Sequence, residues 1–231
     1  MCCASLVQTA FPWHHFPMTR KLSLPDAPAS ADDGRMHAPS AARNIGFICD
    51  LVAHHAPETG HALELASGTG QHVTALANRL PNLTWQPSDI DAQRRTSIDA
   101  HAAGLGNVLL AISLNATAPG WAAENGNKDL ILLVNLLHLI SESEAQTVVS
   151  EAAKALAPGG VLILYGPFLR DGEVTSDGDA TFHASLRAQD PEIGYKDDWD
   201  VIDWLNAAWL DLVQVIEMPA NNLSFIARRP I

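Results

Sequence analysis

Two acidic residues flank a loop of small residues in the segment ELASGTGQHVTALANRLPNLTWQPSD, residues 64 to 89. Glu64 ends an apolar run, the loop SGTG follows at residues 67–70, and Asp89 ends the next apolar run. Small residues let backbone N–H groups approach a ligand closely, and a helix that begins after them favours a carboxylate or a phosphate. An acid at the position of Asp89 can accept hydrogen bonds from both hydroxyls of a ribose. The segment therefore predicts a site for an adenosine derivative.

The spacing of the glycines separates two classes of cofactor. A dinucleotide-binding loop has the pattern G-x-G-x-x-G, whose third glycine allows close packing over a pyrophosphate. Here Gly68 and Gly70 are followed by His72 and Val73, so the third glycine is missing. Glu64 instead completes the E-x-x-x-G-x-G pattern of class I methyltransferases, in which the acid organises the loop around the amino-acid part of S-adenosylmethionine. The loop predicts S-adenosylmethionine as the cofactor, and a generic strand-turn-helix stays open as the alternative.

Length, charge and cysteine content limit the other possibilities. The chain has 231 residues, a mass of 24.8 kDa and a formal net charge of −12. This length suits one large domain, and the acidic charge gives no electrostatic reason to bind a nucleic acid, so we expect a small-molecule substrate. Cys2, Cys3 and Cys49 form neither a disulfide framework nor a metal-ligand spacing, which favours a reducing, cytoplasmic compartment. No apolar run is long enough to cross a membrane.

The N-terminal part differs in composition from the rest of the chain. Residues 1–40 are rich in Pro, Ala, Ser and His and have no sustained hydrophobic period. They predict a disordered or poorly structured extension before a single domain at residues 41–231. Basic residues follow the apolar stretch at residues 11–16, which is the reverse of their order in a signal peptide. Met18 is an alternative start, and the sequence does not decide whether residues 1–17 belong to the mature protein.

Strand and helix patterns alternate after residue 40. This alternation predicts a doubly wound, Rossmann-like α/β fold with a seven-stranded sheet and an antiparallel C-terminal hairpin. In chain order, the patterns predict a helix over ARNIGFICDLVAHHA, a strand over HALELA, a helix over HVTALANRL, a strand over LTWQPSD, a helix over AQRRTSIDAHAAGL, strands over VLLAISLN and DLILLVN, a helix from Glu142 to Leu156, a strand over VLILYGPF, a helix over WDVIDWLNAAWL, and a hairpin of LVQVIEM and LSFIARR.

Several stretches beyond the glycine loop carry a family likeness. They are AARN (41–44), LELASGTGQHV (63–73), LPNLTWQPSDID (80–91), NLLHL (135–139), LAPGGVLILYGPF (156–168), SLRAQDPEIG (185–194) and EMPANNLSFIARR (217–229). On these stretches the chain resembles the methyltransferase-like 26 family, also called domain of unknown function 938, within the class I S-adenosylmethionine-dependent methyltransferases. The resemblance implies the class I methyltransferase fold and S-adenosylmethionine as the methyl donor. It does not define the methyl acceptor.

The pattern and the resemblance together give a set of cofactor-binding residues. Ala66 stands where most class I enzymes have glycine, and Asn115 stands where the family usually has aspartate. Asparagine can still hydrogen-bond the adenine amino group, so loss of the cofactor is not implied. The expected cofactor-binding residues are Arg43, Asn44, Glu64, Ala66, Ser67, Gly68, Thr69, Gly70, Gln71, His72, Asp89, Asn115, Ala116 and Asn135.

Methyl transfer from a sulfonium is an in-line displacement, so alignment of the reactants supplies much of the acceleration. A general base is needed only when the acceptor carries a proton at neutral pH. His138 and Tyr165 lie where the fourth and fifth strands end and are the catalytic candidates, with a helix-capping role for His138 and simple filling of the cleft by Tyr165 as alternatives. Asn221 and Asn222 either line the acceptor side or supply a left-handed turn.

The sequence thus predicts an S-adenosylmethionine-dependent methyltransferase that acts on a small molecule. The alternatives are a protein that binds the cofactor without turnover and a nicotinamide-dependent oxidoreductase. The pairs His14–His15 and His54–His55 lack a carboxylate-rich partner motif, so no metal is predicted. The oligomeric state is not predicted.

Overall fold

A computed structural model describes residues 20, 22–25 and 28–231. The expectations about Met18, about residues 1–17 and about the pair His14–His15 lie outside these residues. The described part begins with a tight ribbon of two antiparallel strands, β1 (Ala29–Ser30) and β2 (Met36–His37).

One mixed sheet forms the centre of the molecule. Its strands are β3 (Gly60–Leu65), β4 (Leu83–Pro87), β5 (Lys128–Val134), β6 (Leu156–Leu169), β7 (Lys196–Asp197), β8 (Asp211–Met218) and β9 (Asn222–Arg228). The strand order is β4-β3-β5-β6-β9-β8, and the short β7 pairs with β6. Strands β3 to β6 are parallel, whereas β9 is antiparallel to both β6 and β8. The predicted fold class, a seven-stranded Rossmann-like sheet with an antiparallel C-terminal hairpin, is confirmed.

Helices cover both faces of this sheet, because alternate residues of each central strand point to opposite sides and both sides are apolar. In β5, Ile131 and Leu133 pack on one face, and Leu130 and Leu132 pack on the other. The helices are α1 (Pro39–His55), α2 (Gln71–Arg79), α3 (Ala92–Ala102), α4 (Glu142–Ala155), α5 (Asp177–Gln189) and α6 (Asp198–Ala207). The first face of the sheet lies against α4 and α6, and the second face lies against α1, α2 and α3.

The third predicted strand, at residues 108–115, is not a regular strand. It makes only two isolated parallel bridges, one between Val108 and Trp85 of β4 and one between Ile112 and Ser88, which follows β4. Pro87 lies at the end of β4 and has no N–H to donate to the neighbouring segment. The side-chain amide of Gln86 donates to a carbonyl of that segment instead, at 2.8 Å. The segment therefore lies beside β4 without extending the ladder, and the seventh strand of the sheet is β7.

Two helices differ from the sequence-based expectation. Helix α1 begins at Pro39, three residues before the start of the predicted helix, because the fixed φ of proline suits the first helical position. Helix α5 was not predicted, because Leu186 is its only fully buried residue and the pattern of apolar residues is weak. The hydroxyl of Ser176 caps α5 by accepting from the backbone N–H of Asp179 at 3.2 Å.

The described N-terminal residues contact the rest of the protein. Arg20 Nη1 lies 2.6 Å from Oε2 of Glu144, and Arg20 Nε lies 2.7 Å from Oδ2 of Asp190. Leu22 and Leu24 pack against a small apolar cluster, the α5 cluster, formed by Leu186, Ile193 and Tyr195 with Leu139, Leu169 and Phe182. The division of the chain into an extension at 1–40 and a domain at 41–231 stays a prediction. Within the described residues, no helix is both long and apolar enough to cross a membrane.

Candidate functional site

Two adjoining cavities lie where the central parallel strands end. The larger one has a volume of about 570 Å³, and the second has a volume of about 430 Å³. We call them the large cavity and the second cavity. Leu24, Ala66, Arg94 and Leu139 line both of them. The position agrees with the general rule that ligands of doubly wound sheets bind beyond the carboxyl ends of the strands.

Two glycines in the loop between β3 and α2 have different roles: Gly68 faces the large cavity, and Gly70 packs against the protein. Ala66, Gly68 and Gly70 have left-handed φ angles of 50°, 59° and 90°. A Cβ added at Gly68 would meet only the carbonyl oxygen of Ala66, at 3.9 Å, and Gly68 lines the large cavity. A Cβ at Gly70 would lie 2.6 Å from Cα of Ile98. Gly68 therefore keeps space open for a ligand, whereas Gly70 allows α2 and α3 to approach each other.

Two buried serines hold this loop against the segment after β4. The backbone N–H of Ser67 donates to the carbonyl of Ser88 at 2.8 Å, and the N–H of Ser88 donates to Oγ of Ser67 at 3.1 Å. Oγ of Ser88 donates to the carbonyl of Glu64 at 2.8 Å. The loop is thus preorganised by its own hydrogen bonds, without a ligand.

The side chain of Glu64 is buried and lines the large cavity. Its Oε2 has no hydrogen-bond partner among the described residues. Burial, together with the nearby charge of Asp89, raises the pKa of Glu64 to about 8, although a hydrogen bond from Ser67 acts in the opposite direction. A buried carboxyl oxygen without a partner is costly, so this atom is suited to a ligand that brings a donor or a positive charge.

Asp89 joins the loop to the second cavity. Its Oδ2 accepts a hydrogen bond from the N–H of Gly68 at 3.0 Å, and its Oδ1 accepts one from the N–H of Asp91 at 2.9 Å. Arg94 Nη1 lies 3.8 Å from Oδ2. Burial raises the pKa of Asp89, and these hydrogen bonds and the charge of Arg94 counteract the rise. A carboxylate has four lone-pair sites, so Asp89 retains capacity to accept from a ligand in the second cavity.

Asn115 also lines the second cavity, but its carbonyl oxygen is not available to the adenine amino group as the sequence suggested. The N–H and the hydroxyl of Thr117 both donate to Oδ1 of Asn115, at 3.1 and 2.8 Å. Both lone pairs of this oxygen are therefore used within the protein. The side chain offers its amide N–H groups instead, which suit a ring nitrogen of a base.

A hydrogen-bonded series of side chains runs from α2 to β6. Nε2 of His72 lies 2.8 Å from Oδ1 of Asn44, and burial lowers the pKa of His72 to about 4. Because a carbonyl oxygen only accepts, Nε2 of the neutral imidazole carries the proton. Burial raises the pKa of the Tyr165 hydroxyl, and a hydrogen bond with Asn44 counteracts part of the rise.

His138 and Asn135 lie together beyond the end of β5. Asn135 has a left-handed φ of 57°, an uncommon conformation for a residue other than glycine, and its N–H donates to the carbonyl of Tyr165 at 2.8 Å. Burial, together with the charge of Lys196, lowers the pKa of His138 to about 3. The imidazole is therefore neutral at pH 7. It lies in a short 3₁₀ turn, Leu137–Leu139, rather than at the cap of α4, which Ser141 provides.

The structure brings most of the predicted site residues to the two cavities. Gly70 and Gln71 line neither cavity: the side chain of Gln71 instead accepts from the N–H of Ala38 at 2.7 Å. The predicted residues in the large cavity are Arg43, Asn44, Glu64, Ala66, Ser67, Gly68, Thr69, His72, Asn135, His138 and Tyr165, and those in the second cavity are Ala66, Asp89, Asn115 and Ala116.

The sequence analysis missed several lining residues, including four that carry a charge or an aromatic ring that could bind a ligand. Arg94 lines both cavities, and Asp179, Phe182 and Tyr195 line the large one. Arg94 could have been predicted as a lining residue, because it is a cation that follows Asp89, a candidate ribose-binding acid, closely in the chain. The other three flank the stretch SLRAQDPEIG, which carries the family resemblance but has no periodicity that predicts its position.

The paired histidines on α1 make a contact with each other. The ring centroids of His54 and His55 lie 4.8 Å apart in an edge-to-face arrangement. In the part of the chain that the structure covers, no group of three or more His, Cys, Asp or Glu side chains is arranged to hold a metal ion.

Several solved structures that align with this fold are methyltransferases. An O-methyltransferase family protein from Burkholderia thailandensis aligns with a TM-score of 0.70 at 23% identity, over 83% of this chain and 57% of that one. Human N-acetylserotonin methyltransferase, solved with S-adenosylmethionine, aligns with a TM-score of 0.70 at 13% identity, over 83% and 53%. An O-methyltransferase family 2 protein from Planctomyces limnophilus, solved with apigenin, aligns with a TM-score of 0.68 at 19% identity, over 82% and 60%. The fold is therefore the Rossmann-like fold of methyltransferases, and the chain spans less than two thirds of the length of these neighbours.

A family model described as a protein of unknown function, DUF938, matches residues 35–229. The chain belongs to this family. The matched range covers β2 and every later helix and strand, so both cavities are formed largely by residues inside it.

Proposed function

We propose that the protein is an S-adenosylmethionine-dependent methyltransferase that acts on a small molecule. The observation that carries the proposal is the buried carboxyl of Glu64, whose Oε2 lacks a partner beside the large cavity. The amino group of the cofactor would supply that partner. S-adenosylmethionine brings a methyl group on a positively charged sulfur, and the protein has to bind, orient and shield the reactants.

The residues present fit the three parts of this cofactor. Gly68 leaves room for the methionine part against the loop, and the positive end of the α2 dipole suits its carboxylate. Asp89 retains lone pairs for the ribose hydroxyls in the second cavity, and the amide of Asn115 donates toward the base. Arg43 lines the large cavity from α1, and we assign it to the cofactor on that position alone.

The chemical step requires few side chains of this protein. His138 and Tyr165 line the large cavity together with Asn135, and Tyr165 lies on β6 beside Val134, the last residue of β5. A neutral His138 with a pKa of about 3 is a weak proton acceptor at pH 7, so its role is to accept a hydrogen bond from the acceptor and orient it. Tyr165 donates its hydroxyl proton to a second group. Alignment by these two residues supplies the catalysis.

Calorimetry with S-adenosylhomocysteine and with NAD tests the cofactor. The proposal expects binding of the first compound and none of the second, because Val73 is fully buried where a dinucleotide loop would need its third glycine. Binding of NAD alone would mean that the protein is an oxidoreductase instead.

Incubation of the protein with a methyl-labelled donor and fractionated metabolite extracts tests turnover. Transfer of label to a small molecule is expected. Binding of the donor without any transfer, across extracts that support other methyltransferases, would leave a binding protein as the function. We also propose that the protein is a methyltransferase-like 26 protein. Its substrate is not a nucleic acid.

A further inference from the structure

One wall of the large cavity contains none of the residues assigned to the cofactor. Helix α5 contributes Asp179 and Phe182, and Tyr195 comes from the segment just before β7. The turn between β8 and β9 contributes Pro219 and Ala220. We call this surface the α5 wall. Its position in the same cavity as His138 and Asn135 makes it the surface that contacts the methyl acceptor.

The carboxylate of Asp179 is held in a fixed orientation. Its Oδ2 accepts from Oγ of Ser176 at 2.7 Å and from Nδ2 of Asn221 at 2.8 Å, and its Oδ1 accepts from the hydroxyl of Tyr195 at 3.1 Å. Oδ1 therefore has one partner where it can accept two. All three partners are neutral, so none of them compensates the negative charge.

Arg43 and Arg94 are cationic residues that line the same cavity as Asp179. Among the residues that the structure covers, no Lys or Arg side chain forms an ion pair with it, and Arg94 is paired with Asp89. An uncompensated carboxylate at the edge of a largely apolar cavity attracts a positively charged group of a ligand.

Aromatic rings surround this carboxylate. The ring centroids of Phe182 and Tyr195 are 6.1 Å apart, and His138 lies 5.8 Å from the first and 6.1 Å from the second. All three pairs meet edge to face, so the rings form a continuous apolar wall. Phe182 is one helical turn from Asp179, and Tyr195 touches it through the hydroxyl. Aromatic rings within about 6 Å attract a cation through their faces, and they also pack against an apolar body.

We propose that the α5 wall binds a protonated amine, so that the methyl acceptor is a small molecule with an apolar or aromatic body and a cationic nitrogen. The amine donates to Oδ1 of Asp179, and the body packs on Phe182 and Tyr195. The role of the bound amine as the methyl acceptor rests on the proposed function, whereas the amine site itself depends only on the α5 wall. The competing role of Asp179 is to fasten α5 to the turn at Asn221.

Three probes with a common phenylethyl body test the proposal: phenethylamine, 2-phenylethanol and 3-phenylpropionate. Each is titrated by calorimetry into the protein, with and without saturating S-adenosylhomocysteine. The amine is expected to bind at least about tenfold more tightly than the alcohol, since a hydrogen bond to a charged group is worth this factor or more. The carboxylate is expected to bind most weakly. Equal affinity for the amine and the alcohol, or tighter binding of the carboxylate, overturns the proposal.

Substitution of the carboxylate gives a second test. Asp179→Asn is expected to lower the affinity for phenethylamine about tenfold or more, to leave 2-phenylethanol nearly unchanged, and to leave S-adenosylhomocysteine binding unchanged. Asp177→Asn is the matched control, because Asp177 is exposed in the same first turn of α5 and lines neither cavity. Equal losses for the amine and the alcohol would assign Asp179 a fastening role only.

The two proposals fail separately. Absence of S-adenosylhomocysteine binding by the wild-type protein contradicts the proposed function, and the comparison of amine with alcohol still reports on the α5 wall. If Asp179→Asn does not fold, the preference of the wild-type protein among the three probes decides the question without it.

Discussion

The N–H of Gly68 donates to Oδ2 of Asp89 at 3.0 Å, so the loop that faces the large cavity and the acid that faces the second cavity form one unit. This bond links residues that are far apart in sequence, and it lies at the junction of the two cavities. A ligand that occupies both cavities would contact both sides of this hydrogen bond.

Asp89→Ala is expected to weaken binding of S-adenosylhomocysteine by about 1.5 to 3 kcal/mol, the usual value for hydrogen bonds to a charged group. Part of this loss will come from the loop, because Gly68 loses its partner. Asp91→Ala is the control, since Asp91 caps α3 and lines neither cavity. That variant should lose about 1 kcal/mol of stability and keep its affinity. Calorimetry and thermal melting of both variants measure these effects, and unchanged affinity in a folded Asp89→Ala would contradict the assignment.

Gly68→Val is expected to abolish binding of S-adenosylhomocysteine, because the new side chain extends into the large cavity, where the protein itself leaves room for it. The variant should fold, at a cost of about 1 to 3 kcal/mol for a left-handed residue with a Cβ. Gly104→Val carries the same backbone strain, with φ of 88° and no neighbour within 4 Å, and it lies away from both cavities. Retained binding in Gly68→Val, at affinity similar to that of the control, would place the ligand elsewhere.

The affinity for S-adenosylhomocysteine is expected to rise between pH 6 and pH 8. Burial raises the pKa of Glu64 to about 8, so the carboxyl is protonated at pH 6 and has to release its proton to bind an ammonium group. Release of one proton gives a slope of up to about tenfold per pH unit. Glu64→Gln should bind more weakly and lose the slope. Equal wild-type affinity at pH 6 and pH 8 would argue against an ammonium at Glu64.

The same pKa shift has a consequence for the stability of the ligand-free protein. The folded-state pKa of Glu64 lies above its unfolded value of 4.5, so its contribution to stability is fully present below that value. The contribution is lost as the pH rises toward about 8. The melting temperatures of the wild type and Glu64→Gln should converge at low pH. The pH dependence of the melting temperature should differ most between the two proteins from pH 4.5 to about pH 8.

His138→Ala is expected to lower the turnover number roughly 10- to 100-fold through loss of alignment, with donor affinity unchanged. The low pKa of His138, about 3, removes the reason to expect a titration limb of this residue near neutrality. The wild type and the variant should therefore have pH profiles of the same shape from pH 6 to pH 9. A limb near pH 7 that disappears in His138→Ala would show that the imidazole titrates there and acts as a general base.

The cofactor side of the site could be predicted from the sequence, because its features are local. Gly68 needs a left-handed φ and open space above it, Glu64 lies near the end of β3, and Asp89 follows the adjacent parallel strand β4, so the positions of all three follow from the strand pattern. The core strands were equally clear, since burial on both faces gives continuous apolar runs.

The acceptor side could not be predicted, because its residues come from segments without a periodic signal. Asp179 and Phe182 lie on α5, which buries only Leu186 completely, and Tyr195 lies in an irregular segment. The prediction of an edge strand at residues 108–115 was wrong for a different reason. Its apolar pattern is that of a strand, but Pro87 removes the donor that a regular ladder needs at that position.

Arg20 has a kinetic consequence for any ligand that fills both cavities. Such a ligand contacts Leu24, which lines the two cavities and lies only a few residues from the ion pairs of Arg20 with Glu144 and Asp190. The residence time of the ligand then depends on how long these ion pairs last as well as on the contacts of the ligand itself. Because dissolved salt screens partly exposed charges, we expect dissociation to quicken as ionic strength rises, in a way that Arg20→Gln would abolish.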